Sequence, residues 1–159
     1  KEYDITEIEV FWYGSDVYLC QSNERLKDIL FKAGQTIMLN IKVTGIKEAN
    51  IIARAVSEIV RKLPEQKWMI CSRNEFCVIE LVEQRIEKCE IGVQTYEIPP
   101  GYFSHIQIDF VCIDSNVICH RDIDVYRASK VKIYTFTVND IIMKRYLTLC
   151  KIDGIISDY

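Results

Sequence analysis

Several common devices are missing from this chain. It has no glycine-rich phosphate loop, no CxxC pair, no long apolar run and no excess of basic residues. Without a phosphate loop, nothing in the sequence cradles a nucleotide in the manner of a P-loop or a dinucleotide fold. The lack of CxxC removes the zinc-ribbon spacing. The longest apolar stretches are strand-sized and far from the roughly 18 residues of a membrane-spanning helix, and no secretory signal is read at the start. A formal net charge of -3 leaves no positive field for nucleic acid or anionic lipid. Low-complexity segments and linkers are absent too, so the 159 residues are expected to form one domain, 1–159.

What is present is apolar and ordered. Apolar residues make up 49% of the chain, as in a globular protein with a packed core. Seven cysteines, Cys20, Cys71, Cys77, Cys89, Cys112, Cys119 and Cys150, are odd in number and lie mostly inside apolar runs. They read as reduced, buried thiols of a cytoplasmic protein.

Strand and helix signals alternate throughout. Asp4–Trp12 reads as a strand, Gly14 as a turn and Asp16–Cys20 as a short ribbon strand. Residues 23–33 place Leu26, Ile29, Leu30 and Ala33 at helical spacing, with Ser22 or Asn23 as cap and Gly34 as stop. Thr36–Val43 is nearly all apolar, as in a parallel strand buried on both faces. Ile46–Leu63 is amphipathic, with Ile52, Val56, Ile59, Val60 and Leu63 on one face and Pro64 beyond it. A strand at Lys67–Ser72 and a helix capped by Asn74 follow, then strands at Glu90–Tyr96 and Ile106–Asp114 around a loop at Pro99, Pro100 and Gly101. Val117–Ser129 is a weaker helix. Lys132–Val138, a helix over Asp140–Cys150 and Gly154–Asp158 complete seven main strands and one ribbon. Such alternation predicts a parallel sheet with helices outside it. It also allows an open doubly wound sheet, which the missing phosphate loop does not support.

The last stretch carries the most specific pattern. Phe136-Thr137-Val138-Asn139 is followed, after a helix, by Asp153-Gly154-Ile155-Ile156-Ser157-Asp158. This order resembles the closing βαβ unit of the glycerophosphodiester phosphodiesterase family, whose seventh and eighth strands read WTVN and DGIITD. The resemblance implies a TIM-barrel-like (β/α) barrel. The chain is short for one, since about 250 residues are typical, and it starts at the family's second strand. The first strand, which ends in the family's HRG, has no counterpart after Lys1.

The resemblance also assigns site residues, with departures. Glu7 and Glu9 in TEIEV match the family's metal-binding ExD pair, with Glu at the second position. Residues i and i+2 on a strand share a face, so both carboxylates can meet one hard cation, Mg²⁺ or Ca²⁺. Alternating charges on a half-exposed strand would look the same. The family's G-x-x-V-V-x-H-D corresponds to Gly14, Val17, Cys20 and Gln21, with a thiol where the catalytic His belongs. The family's E-I-K corresponds to Asn40, Ile41 and Lys42, which exchanges a metal carboxylate for an amide and keeps the phosphate-contacting lysine. His120 and Arg121 form an HR pair on an expected helix or loop between later strands, and His105 precedes a strand as a loop residue.

Two functions stay open on this pattern. One is metal-dependent hydrolysis of glycerophosphodiesters to glycerol 3-phosphate and an alcohol, a step of lipid metabolism, with Lys42 and Cys20 at catalytic positions. The other is an inactive relative that binds a glycerophosphodiester or other small phosphate ester, or serves as a scaffold. A missing first strand would also bare the edges of DITEIEV and GIISDY and favour self-association.

Overall fold

The computed structural model describes residues 5–96 and 105–158. Among these residues, eight strands and four α-helices follow one another: β1 (Ile5–Tyr13), β2 (Asp16–Leu19), β3 (Thr36–Lys42), α1 (Ile46–Arg61), β4 (Lys67–Ser72), α2 (Glu75–Gln84), β5 (Cys89–Thr95), β6 (Phe110–Asp114), α3 (His120–Ala128), β7 (Lys132–Phe136), α4 (Ile141–Leu149) and β8 (Gly154–Ile155). The expected α/β class and the count of seven main strands plus a ribbon are borne out. The expected loop at Pro99–Gly101 lies outside the described residues. The chain divides into two compact units, Lys1–Gly92 and Val93–Tyr159.

In the first unit β3 is central. It pairs in parallel with β1, Ile5 opposite Thr36 through Phe11 opposite Lys42, and with β4, Thr36 opposite Lys67 through Ile41 opposite Ser72. Ile37, Met38, Leu39, Asn40 and Ile41 are all buried, as a strand covered on both faces requires. β1 runs on past Glu9 and turns back as an antiparallel ribbon, Val10 opposite Leu19 and Tyr13 opposite Asp16. Gly14 opens the two-residue turn with φ of 62°, a conformation that glycine adopts without strain. The second half of β1 is therefore covered by β2, and within DITEIEV this ladder reaches Val10.

α1 buries Ala49, Ile52, Ala53, Val56, Ser57 and Val60. Small residues thus form half of its inner stripe, and Leu63, expected inward, lies past the helix end and is exposed. α2 is capped by Asn74, whose side-chain oxygen accepts from the Cys77 amide at 3.1 Å. The Arg54 guanidinium of α1 and the Glu80 carboxylate of α2 join the two helices at 2.7 Å.

The helix expected over residues 23–33 does not form. Only a 3₁₀ turn, Leu26–Asp28, occupies that stretch. The Leu19 amide donates to the Glu24 carbonyl and Tyr18 bridges Arg25, so this backbone is already committed to β2. Leu26 is fully buried while Leu30 is 98% exposed, which means the apolar stripe never faces one core. A short helix without a buried face is not stable in water.

In the second unit β6, β7 and β8 pair in parallel, with Phe110 opposite Lys132 and Tyr134 opposite Gly154. Phe110, Val111, Cys112 and Ile113 are buried on β6, and Ile133 and Thr135 are fully buried on β7. The strand expected over Gly154–Asp158 contracts to two residues, Gly154 and Ile155, although the Ile156 amide still donates to the Thr135 carbonyl at 2.8 Å and its carbonyl accepts from the Val138 amide at 2.9 Å. The Asp153 carboxylate accepts from the Ile133 amide at 2.8 Å, and the Asp153 amide donates to the Ile133 carbonyl at 2.9 Å. Asn139 donates to Asp158 Oδ2 at 2.7 Å and accepts from the Ser157 hydroxyl and the Asp158 amide, each at 3.1 Å. Gly154 sits against the Tyr134 ring, where an added Cβ would lie 2.6 Å from Cδ1. No helix among the described residues is long and apolar enough to cross a membrane.

Candidate functional site

Polar side chains of neighbouring parallel strands in the first unit come together around Asn40. Register sets this gathering: Glu9 lies opposite Asn40, and Asn40 lies opposite Cys71. Glu7 and Glu9, two apart on β1, share a face, as do Asn40 and Lys42 on β3. Neither glutamate stands at the end of its strand. β1 continues through Tyr13, so they are mid-strand residues, Glu7 opposite Met38 and Glu9 opposite Asn40 of β3.

Each glutamate has a nitrogen donor from β3. The Asn40 amide donates from Nδ2 to Glu7 Oε1 at 2.8 Å. The Lys42 ammonium lies 2.8 Å from Glu9 Oε1, with both side chains about a third exposed. A half-open ion pair of this kind contributes roughly 0–1 kcal/mol to stability, so the fold does not depend on it. Asn40 itself is fully buried. A buried amide is costly unless it is hydrogen-bonded, and the bond to Glu7 offsets that cost.

Cys20 completes the cluster from beyond β2. Its backbone amide donates to the Glu9 carbonyl at 2.9 Å. Its thiol is pushed up from the ordinary range by partial burial and then by the Glu9 charge, with Lys42 acting in the opposite direction. Cys71 is a member that sequence reasoning missed, hidden in the apolar run KWMICS. It is fully buried, and burial, then Glu7, push its thiol well up. Only the β3–β4 register reveals it. Ser72, next along β4, is also buried and donates its hydroxyl to the Ile41 carbonyl at 2.8 Å.

Gln21, the residue at the family's Asp position, is exposed in the turn after Cys20. The other chemistry-bearing residues lie in the second unit. His120 and Arg121 open α3. The His120 ring lies 3.9 Å from the Cys150 sulfur and packs edge-on against Tyr146. His105 is exposed in a turn before β6.

The donor set suits a hard divalent cation: two carboxylates on one face and a carboxamide bonded to one of them, all oxygen ligands. Among the described residues no three His, Cys, Asp or Glu side chains gather as a metal cluster, so any third side-chain donor here would have to be an amide such as that of Asn40. Lys42 already neutralises Glu9, and a cation bound there would have to move it.

No family model and no curated protein matches this sequence. Solved structures do match. A phosphodiesterase from Oleispira antarctica, solved in complex with the product sn-glycerol-3-phosphate, is 15% identical, with a TM-score of 0.79 over 96% of this chain and 80% of that one. A glycerophosphodiester phosphodiesterase from Parabacteroides distasonis is 14% identical, with a TM-score of 0.77 over 96% of this chain and 78% of that one. The enzyme of the same kind from Thermotoga maritima is 16% identical, with a TM-score of 0.67 over 96% and 80%. At such identities the likeness concerns architecture, and there the resemblance read from the closing motif is borne out: the chain has the TIM-barrel-like α/β fold of the glycerophosphodiester phosphodiesterases.

Proposed function

We propose that this chain is a glycerophosphodiester phosphodiesterase-like protein that binds a glycerophosphodiester or other small phosphate ester at Glu7, Glu9, Asn40 and Lys42, and that it turns the ester over slowly or not at all. The observation that carries this reading is the Lys42 ammonium, anchored at the last residue of β3 and held beside the Glu9 carboxylate. An ammonium on a flexible stem can leave a solvent-facing ion pair for a phosphate oxygen at small cost. Mg²⁺ or Ca²⁺ would be held by Glu7, Glu9 and Asn40. When bound, it would supply a Lewis acid for the phosphoryl oxygens.

The chain's own residues explain the weak turnover. Cleaving a phosphodiester calls for a proton donor and acceptor with pKa near the working pH. The first unit contains no histidine, and Cys20, the group at that position, has its thiol pushed further from neutrality. Lys42 and Glu9 can orient an ester and balance its charge. Cys20 cannot shuttle its protons efficiently near neutral pH.

Full hydrolysis to glycerol 3-phosphate and an alcohol is the second reading. The likeness to a phosphodiesterase solved with that product favours it. Phosphorus NMR of glycerophosphocholine incubated with the chain and Mg²⁺ or Ca²⁺ separates the readings. The expected result is a broadened or shifted ester signal with little product over hours. Rapid growth of a glycerol 3-phosphate signal would establish hydrolysis in its place. An unperturbed ester signal without product would sink both.

A further inference from the structure

We infer that divalent-cation binding and phosphate-ester binding at this cluster are coupled, each strengthening the other, with Lys42 as the moving part. This rests on the reading of the cluster as a phosphate-ester and cation site. The ammonium of Lys42 lies 2.8 Å from Glu9 Oε1, and the Asn40 amide lies 2.8 Å from Glu7 Oε1. Without a divalent cation, β3 itself supplies a donor to each carboxylate of β1, a neutral amide to Glu7 and an ammonium to Glu9.

A cation entering between Glu7 and Glu9 repels the ammonium and competes for the same oxygen. Lys42 must then leave Glu9, and its freed charge becomes available to an anion. The reverse sequence has the same logic. A phosphate ester that draws Lys42 away leaves the Glu9 carboxylate uncompensated, and a cation then binds it more readily. Exposure permits this exchange, because Lys42 and Glu9 are each about a third exposed. Asn40 is fully buried and stays in place. Linkage requires the two effects to be equal in size. Couplings of this kind typically span about 5- to 150-fold, and one displaced ammonium belongs near the lower end, about tenfold.

Calorimetric titration of CaCl₂ into the full chain, with and without saturating sn-glycerol 3-phosphate, tests the coupling. The expected result is about tenfold tighter Ca²⁺ binding with the ester present, after subtraction of the Ca²⁺–ester heat measured without protein. Lys42→Met should bind Ca²⁺ more tightly than the wild type in the absence of ester and lose the enhancement, while Lys42→Arg should retain most of it. Equal Ca²⁺ affinity with and without the ester in the wild-type chain would overturn the coupling and leave the two sites standing. An enhancement that persists in Lys42→Met would also overturn it, by showing that metal and ester meet directly. No Ca²⁺ heat in either protein under any condition would remove the cation site itself, and the coupling with it.

Discussion

The first unit and the second unit use their sequence signatures in opposite ways. In the second, the residues most typical of the family's sequence are structural. Asp153 holds the start of β7, Asn139 gathers Ser157 and Asp158, and Gly154 admits the Tyr134 ring. In the first, Asn40 and Lys42 of β3 meet Glu7 and Glu9 of β1 at hydrogen-bond distance. In the second unit the polar side chains stitch the backbone together, while in the first they bond to one another across neighbouring strands. The first unit would then decide ligand binding and the second would chiefly decide stability.

The largest expected effect strikes at the first unit. Cys20→His places an imidazole with a pKa near neutrality beside Glu9, and general acid–base catalysis by one such group is worth about 10²–10⁴-fold. Turnover of glycerophosphocholine should rise by about 10²-fold in a steady-state assay. No rise would mean that loss of this proton carrier does not limit the site. The second unit gives the next effect. Gly154→Ala forces a methyl into the Tyr134 ring, and overpacking of this kind costs about 1–3 kcal/mol. Thermal or urea unfolding should show it, with ester binding unchanged. A binding defect without a stability loss would erase the contrast between the units.

Asn139→Ala comes third. It removes exposed bonds to Ser157 and Asp158, worth about 1 kcal/mol by the same unfolding assay. The smallest effect is acid sensitivity in the first unit. The Arg54 guanidinium hydrogen-bonded to Glu80 holds that carboxyl below its ordinary value, against the opposing effect of burial. A depressed folded-state pKa stabilises the protein above the unfolded value of about 4.3, and this contribution fades as pH falls through the folded value. Wild-type stability should drop more than that of Glu80→Gln between pH 5 and 3, by under about 1 kcal/mol, because Arg54 is largely exposed.

Much of the fold was legible because periodicity reports burial directly. β3 reads as a doubly buried strand and is one, and Asn74 reads as a cap and caps α2. Residues 23–33 misled because helical spacing says nothing about which backbone groups a neighbouring strand will claim. The site was legible in part for a related reason. Glu7, Glu9, Asn40 and Lys42 stand at i, i+2 spacings visible in the sequence, whereas their pairing across β1 and β3 depends on register. Cys71 shows the limit: inside an apolar run its nearness to Glu7 leaves no local signal.

The most direct measurement is isothermal calorimetry of sn-glycerol 3-phosphate with the wild-type chain and with Lys42→Met. A charge-assisted bond to the phosphate is worth about 1.5–3 kcal/mol. The wild type should therefore bind measurably, and the variant should bind at least about tenfold more weakly with unaltered thermal stability. Equal affinity in the two proteins, or no binding by the wild type, would contradict the assignment of this cluster as the ligand site.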